Sequence, residues 1–414
     1  MKRNEEAMLR ILRCAVHGEA TPDPVFSAEE WAALLRLSEA HGLLPLVYDA
    51  AYRCASFQQL EPETRKAFQT RAIRRAISQI RQSSEFLTLL LHAQAQGLDP
   101  IVLKGITVRS LYPRPMLRPS VDEDLLVRPG EAAAYHRFFL SEGLVPDDPE
   151  AELSTAAELS YHRPESPTYI ELHLHPFPPE SEAYGDCNAL FAGASERAVR
   201  VQIEDVALRA LAPTEHLLYL LCHAYKHFLH SGVGIRQVCD IGMFAQRYGE
   251  EIDWSRVLAG CAEIRIEHLA AALFRIAERQ LGFAMPAAFA AFAADEEPLL
   301  EDILAGGLYG TQDENRLHSG TITLDAVAAE RQGRGRKGLS ASLFPSASTL
   351  SGRYPYLKKR PWLLPAAWLQ RFAGYLKNRE TSAADSMRIG DERIRLLQQY
   401  GVLDSAPHAA RRRT

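Results

Sequence analysis

The segment Val121-Asp122-Glu123-Asp124-Leu125-Leu126-Val127 restricts the possible folds more than any other part of the chain. Its apolar end reads as a buried strand. A buried strand that carries acids must neutralise them, because an unpaired carboxylate away from water is costly. Side chains two apart on a strand share a face, so Asp122 and Asp124 point one way and Glu123 the other. Two neighbouring carboxylates repel unless a proton or a cation intervenes. A hard divalent cation that prefers oxygen ligands, such as Mg²⁺, fits that role. Upstream, the apolar run 101–103 stops at Lys104-Gly105, which reads as a strand and the turn that ends it.

A second stretch supplies a third acid. Tyr169-Ile170-Glu171-Leu172-His173-Leu174-His175 alternates strictly, which puts Tyr169, Glu171, His173 and His175 on one face. If this strand lies beside the first, Glu171 joins Asp122 and Asp124 in a three-carboxylate cluster. Such a cluster can hold two metal ions about 3.5–4 Å apart, the arrangement that polarises a phosphoryl group and stabilises attacking and leaving oxygens.

Lys104-Gly105, the Tyr and Arg after it, Asp-x-Asp-Leu-Leu-Val at 122–127 and Glu-Leu-His at 171–173 together resemble a poorly characterised bacterial family of nucleotidyltransferases. That family belongs to the superfamily typified by DNA polymerase beta. The resemblance covers the central core well and the C-terminal region loosely. It implies an α+β fold, a small mixed-sheet core flanked by N- and C-terminal helical domains. It also implies a Mg²⁺-dependent transfer of a nucleoside monophosphate from an NTP to an acceptor hydroxyl, with two Mg²⁺ ions (or Mn²⁺) as cofactors. Carried over residue by residue, Gly105 takes the triphosphate turn, Asp122 and Asp124 the metal pair, and Glu171 the third acid. The chain departs from the superfamily in having Lys104-Gly105 where Gly-Gly or Gly-Ser is usual. Either Lys104 gives the phosphates a positive charge or the nucleotide sits differently.

Other candidates surround this set. Arg118 reaches either the triphosphate or one of the acids; Arg109 and Tyr112 are weaker candidates. His173 is a metal ligand, a neighbour of the ligands or a leaving-group contact, and His175 shares its face. His216, His223, His227 and His230 fall on one helical face. Without the Glu of a metalloprotease motif between an i, i+4 pair, they read as a polar wall in preference to a zinc site. Arg236 and Asp240 are spaced for an i, i+4 ion pair.

The organisation along the chain is an N-terminal helical region (1–97), the sheet core (98–205), a helical domain on the substrate or nucleotide side (206–300), and a linker with a C-terminal aromatic and basic helix and a disordered tail (301–414). Ser27 and Glu30 form a capping box. Ile73, Ile77, Ile80, Leu87 and Leu91 make an apolar stripe on a long helix after Pro62, expected to pack inward. Arg65, Lys66, Arg71, Arg74, Arg75 and Arg81 occupy its other side, either as a solvated face or as a guide for a nucleotide or RNA. Short strands are expected at 158–162 and 199–203, and helices from 206 onward. Residues 354–377 read as a packed terminal helix, with peripheral membrane contact as the alternative.

The composition is that of globular material, with 47% hydrophobic and 24% charged residues, and the net charge of −5 opposes wholesale nucleic-acid coating. The six cysteines are scattered, with no Cys-x-x-Cys pair, and the N-terminus lacks the apolar core of a signal peptide. Both features fit a cytoplasmic protein. No P-loop, dinucleotide fingerprint or nucleophile elbow is present. The acceptor is left open among a small molecule, a peptide, a protein and a tRNA. The alternatives in function are a toxin-like RNA- or tRNA-modifying transferase and a non-catalytic nucleotide-binding scaffold.

Overall fold

Seven strands form a single mixed sheet in the computed structural model, which describes residues 1–153, 156–308, 314–333, 347–350, 354, 356–377 and 383–404. The strands are β1 (Ile101–Val102), β2 (Glu123–Leu126), β3 (Val145–Pro146), β4 (Glu158–His162), β5 (Tyr169–His173), β6 (Val199–Ile203) and β7 (Val206–Ala210), in the order β3-β4-β5-β2-β1-β7-β6. β2 runs antiparallel to β1 and parallel to β5, and β1 runs parallel to β7. The two acid-bearing strands are therefore neighbours, with Asp124 opposite Glu171. The fold is mixed α+β with helices flanking the sheet.

The period-2 alternation gives the sheet two unlike faces. Val102, Leu125, Tyr161, Ile170 and Leu172 point to one face, where Phe86, Leu89 and Leu90 of the Pro62–Ala95 helix and Tyr135, Phe138 and Phe139 of the Ala132–Ser141 helix cover them. The opposite face carries the acids and turns toward the Pro213–His230 helix, whose Tyr219 hydroxyl is raised well above its usual pKa by burial and then by the Asp124 charge.

Three expectations need correction. Of the expected inward stripe, only Leu87 is buried, while Ile73, Ile77, Ile80 and Leu91 are exposed. The packed side of the Pro62–Ala95 helix is instead Phe68, Ala72, Phe86, Leu89, Leu90 and Ala93, interrupted by Gln79 and Gln82. These two polar residues are buried because their amides bind backbone, and that breaks the apolar pattern. Residues 206–210, read as the start of a helical domain, form β7, which pairs with both β1 and β6. Residues 314–331, read as part of a polar linker, form the helix Glu314–Arg331. Gly320 lets that helix close on the Pro213–His230 helix, since a Cβ there would lie 1.8 Å from the His230 carbonyl oxygen.

The capping box of Ser27 and Glu30 is present, with Ser27 accepting from the Glu30 amide. Within 354–377, Leu357 and Ala367 are buried against Tyr354, Leu363, Leu364 and Trp368, whereas Trp362 and Leu369 are exposed. Residues 334–346 of the expected linker and the tail after Ala406 lie outside the described residues. No helix among the described residues is long and apolar enough to cross a membrane.

Candidate active site

The turn after β1 is built around a glycine. Gly105 has φ +71°, and a Cβ there would lie 2.1 Å from Glu123 Oε2. Glu123 comes this close because its carboxylate accepts the Ile106 amide hydrogen at 2.8 Å and the Arg109 guanidinium at 2.5 Å. It lies on the opposite face from Asp124, as the alternation predicts. Burial pushes its carboxyl above the usual pKa, against the pull of Arg109. The Ile106 amide beside the turn is thus engaged by a protein carboxylate.

The segment leading into Asp122 is held from three sides. Gln79 accepts from the Ser120 amide at 2.6 Å, and Gln82 donates to the Val121 carbonyl at 3.0 Å. Arg109 donates to Ser120 Oγ at 2.6 Å, and Arg236 donates to the Pro119 carbonyl at 2.5 Å. Arg118 grips Asp240 through Nε at 3.1 Å and Nη2 at 2.5 Å, and the Tyr112 hydroxyl donates to the same carboxylate at 2.7 Å. The acid that Arg118 pairs with therefore comes from the Ile235–Tyr248 helix and not from the sheet, and Asp240 is engaged from outside its own helix.

Asp122, Asp124, Glu171, Lys104 and His173 come together on the polar face. Lys104 Nζ lies 3.1 Å from Asp122 Oδ2 and 3.1 Å from Asp124 Oδ2, bridging the pair. Burial pushes the Asp122 carboxyl up, but the Lys104 ammonium, with help from Arg236, outweighs it and holds the carboxyl well below the usual range. His173 Nε2 lies 3.0 Å from Asp124 Oδ1 and 3.6 Å from Glu171 Oε2. Glu171 is raised by burial and by the charges of Asp124, Glu158 and Asp122, with its bond to His173 opposing. Burial alone lowers His173, yet its bonds to Asp124 and Glu171 and the charge of Glu158 bring it up to about 9.

Glu158 was not anticipated from sequence. Its Oε2 lies 3.5 Å from His173 Nδ1, because β4 sets it opposite His173. Once 158–162 is paired antiparallel with 169–173, the alternation puts Glu158 on the acid face; that pairing was the available signal. His175 lies past the end of β5 and is half-buried.

Beside the acids is a small cleft lined by Lys104, Gly105, Arg118, Asp122, His223 and Arg236 among others, with a volume of about 20 Å³. The four histidines do not converge on one point. His223 and His227 face each other, Nε2 to Nε2, at 3.2 Å; His230 meets the Tyr184 hydroxyl at 3.0 Å; and His216 packs on Phe244. On the basic side of the long helix, Arg71 pairs with Glu39 and Arg81 with Glu85, as on an ordinary solvated surface.

Asp124, Glu171 and His173 offer three ligand atoms that all lie within 4.8 Å of one another, the one such group among the described residues. With the Asp122 carboxylate beside them, the donors are mostly oxygens, which suits a hard cation. A cluster of this kind can neutralise phosphate charge through a metal. Residues 27–282, more than half of the chain, match the family described as an uncharacterised nucleotidyltransferase, and the chain belongs to that family. Nucleotidyl transfer in general is therefore the class of chemistry attached to this fold. Comparison with curated proteins and with solved structures gave no match.

Proposed function

We propose that the chain transfers a nucleoside monophosphate from an NTP to an acceptor hydroxyl, releasing pyrophosphate, on the polymerase-beta-like pattern. The observation that carries this reading is the pairing of Asp124 with Glu171 across parallel strands, with Asp122 joined to Asp124 through one shared positive charge. Acids that would otherwise repel are gathered there around a cation.

Asp122, Asp124 and Glu171 would hold Mg²⁺, two ions in full, with Mn²⁺ an acceptable substitute. When bound, the metal neutralises phosphate charge and makes an acceptor hydroxyl more acidic. Glu171 would either hold the second ion or take the hydroxyl proton on Oε. Lys104 and Arg236 line the adjoining cleft and present positive charge to the polyphosphate. Arg118, fixed by Asp240 and Tyr112, stabilises the wall of that cleft. His173 orients Asp124 and Glu171 relative to each other. The burden on the protein is then mostly positioning and charge neutralisation.

The acceptor is unspecified, and selectivity for it is assigned to the helical flanks on either side of the 98–205 core. The test is to incubate the protein with Mg²⁺, each α-labelled NTP and candidate acceptors (small metabolites, peptides, proteins and tRNA). Label should appear on an acceptor, and Asp122→Ala with Asp124→Ala should abolish it. Undiminished transfer by that variant overturns the mechanism.

A further inference from the structure

Lys104 lies past the end of β1 with only Leu103 between, and its backbone position is tightly determined. The preceding Leu103 amide donates to the Asp124 carbonyl at 3.0 Å, and the following Gly105 is locked against Glu123. From there the side chain reaches the acids, and its ammonium lies 3.1 Å from one oxygen of each of Asp122 and Asp124. Its side chain is only 11% exposed. A cation shared by two carboxylates that stand two residues apart removes their mutual repulsion. A divalent ion would do the same, but with bonds of about 2.0–2.1 Å to those oxygens. The ammonium and the metal therefore compete for one position.

The cleft next to them supports this conclusion. At about 20 Å³ it has room for roughly one water molecule while Lys104 stays on the acids. Lys104 and Arg236 both border it. If Lys104 swings away from the acids, it leaves the metal position and brings its charge to the side where Arg236 already stands.

We propose that Lys104 is a tethered stand-in for the divalent cation, holding Asp122 and Asp124 together until metal-bound nucleotide displaces it toward Arg236, where it takes up phosphate. This rests on the reading of the acids as the metal site. It makes metal and polyphosphate binding mutually dependent, with metal alone binding weakly.

The test compares wild type with Lys104→Met, using Mn²⁺ titrated without nucleotide and followed by electron paramagnetic resonance, and inorganic tripolyphosphate titrated with Mg²⁺ present. The variant should bind Mn²⁺ about tenfold more tightly, and tripolyphosphate about tenfold more weakly, a decade in each direction. General structural damage weakens both, so opposite signs are specific to the proposal. Lys104→Gln, which keeps hydrogen-bonding capacity but no charge, carries the same expectation should the Met variant not fold. Mn²⁺ affinity that is unchanged or weaker in a folded uncharged variant overturns the proposal. Asp122→Asn with Asp124→Asn tests the underlying site separately: if it leaves Mn²⁺ binding unchanged, both readings fall.

Discussion

Asp124 and Glu171 stand directly opposite each other on adjacent parallel strands, although they are 47 positions apart in the chain. His173 bridges the two carboxylates through Nε2, so the pair is joined by a side chain from the same strand as Glu171. The carboxylates owe their proximity to strand order, and their orientation to the imidazole.

Asp124→Asn keeps the shape of the side chain and removes its charge. On the proposed mechanism transfer should fall by roughly 10²–10³-fold or more, through lost charge stabilisation at the reacting phosphate. Far-UV circular dichroism should be unchanged. Activity close to wild type, measured with labelled NTP, would show that the acid is structural only.

Gly105→Ala places a methyl group 2.1 Å from Glu123 Oε2 at a backbone angle that L-residues rarely adopt. Glu123 cannot withdraw easily, because Arg109 and the Ile106 amide both hold it. A loss of roughly 2–4 kcal/mol is expected from crowding plus the left-handed conformation. Chemical denaturation measures it. In a Glu123→Ala background the added cost of the Gly105 change should shrink, because the obstacle has gone.

Asp240→Asn leaves the buried Arg118 guanidinium facing a neutral amide. Breaking one partner of a buried ion pair costs about 3–5 kcal/mol. Tyr112→Phe removes a single hydrogen bond to the same group and should cost only about 0.5–1.5 kcal/mol. A larger effect from Tyr112 than from Asp240 in equilibrium unfolding would contradict the assignment of Asp240 as the counter-ion.

Two histidines of the Pro213–His230 helix give the fold an acid limit. His216 and His223 are buried, and burial lowers His216 to about 3 and His223 well below its ordinary 6.5, the latter with Lys104 also pushing it down. In the unfolded chain both take up protons near 6.5. As pH falls below that value the unfolded state binds more protons than the folded one, and stability declines by about 1.4 kcal/mol per pH unit for each histidine. Melting temperatures measured from pH 6.5 to 5 should fall, and His216→Phe should flatten the slope. A profile flat across that range would exclude the effect.

The parts of the site that were legible in sequence are those written by local period. Asp122, Asp124 and Glu171 declared themselves by alternation within apolar runs, and Gly105 by its place at the end of one. What pairs with them was not legible, because partner choice is set by strand order and helix docking. Glu158 becomes visible only once β4 lies against β5, and Asp240 only once the Ile235–Tyr248 helix approaches Arg118. The Ile73–Ile77–Ile80 spacing misled for a related reason. The inner side of that helix includes Gln79 and Gln82, polar residues buried for their hydrogen bonds to the 118–121 segment, so hydrophobicity alone marks the wrong side.

Those two glutamines have a consequence for how the molecule could be divided. Ser120 and Val121 are moored to a helix that ends before β1 begins, while Pro119 is moored to one that starts after β7 ends. A fragment cut to the sheet alone would retain every carboxylate and the lysine among them, yet it would lose the Gln79, Gln82 and Arg236 bonds that hold the segment leading into Asp122. The minimal working unit of this chain is therefore larger than the part that bears its chemistry.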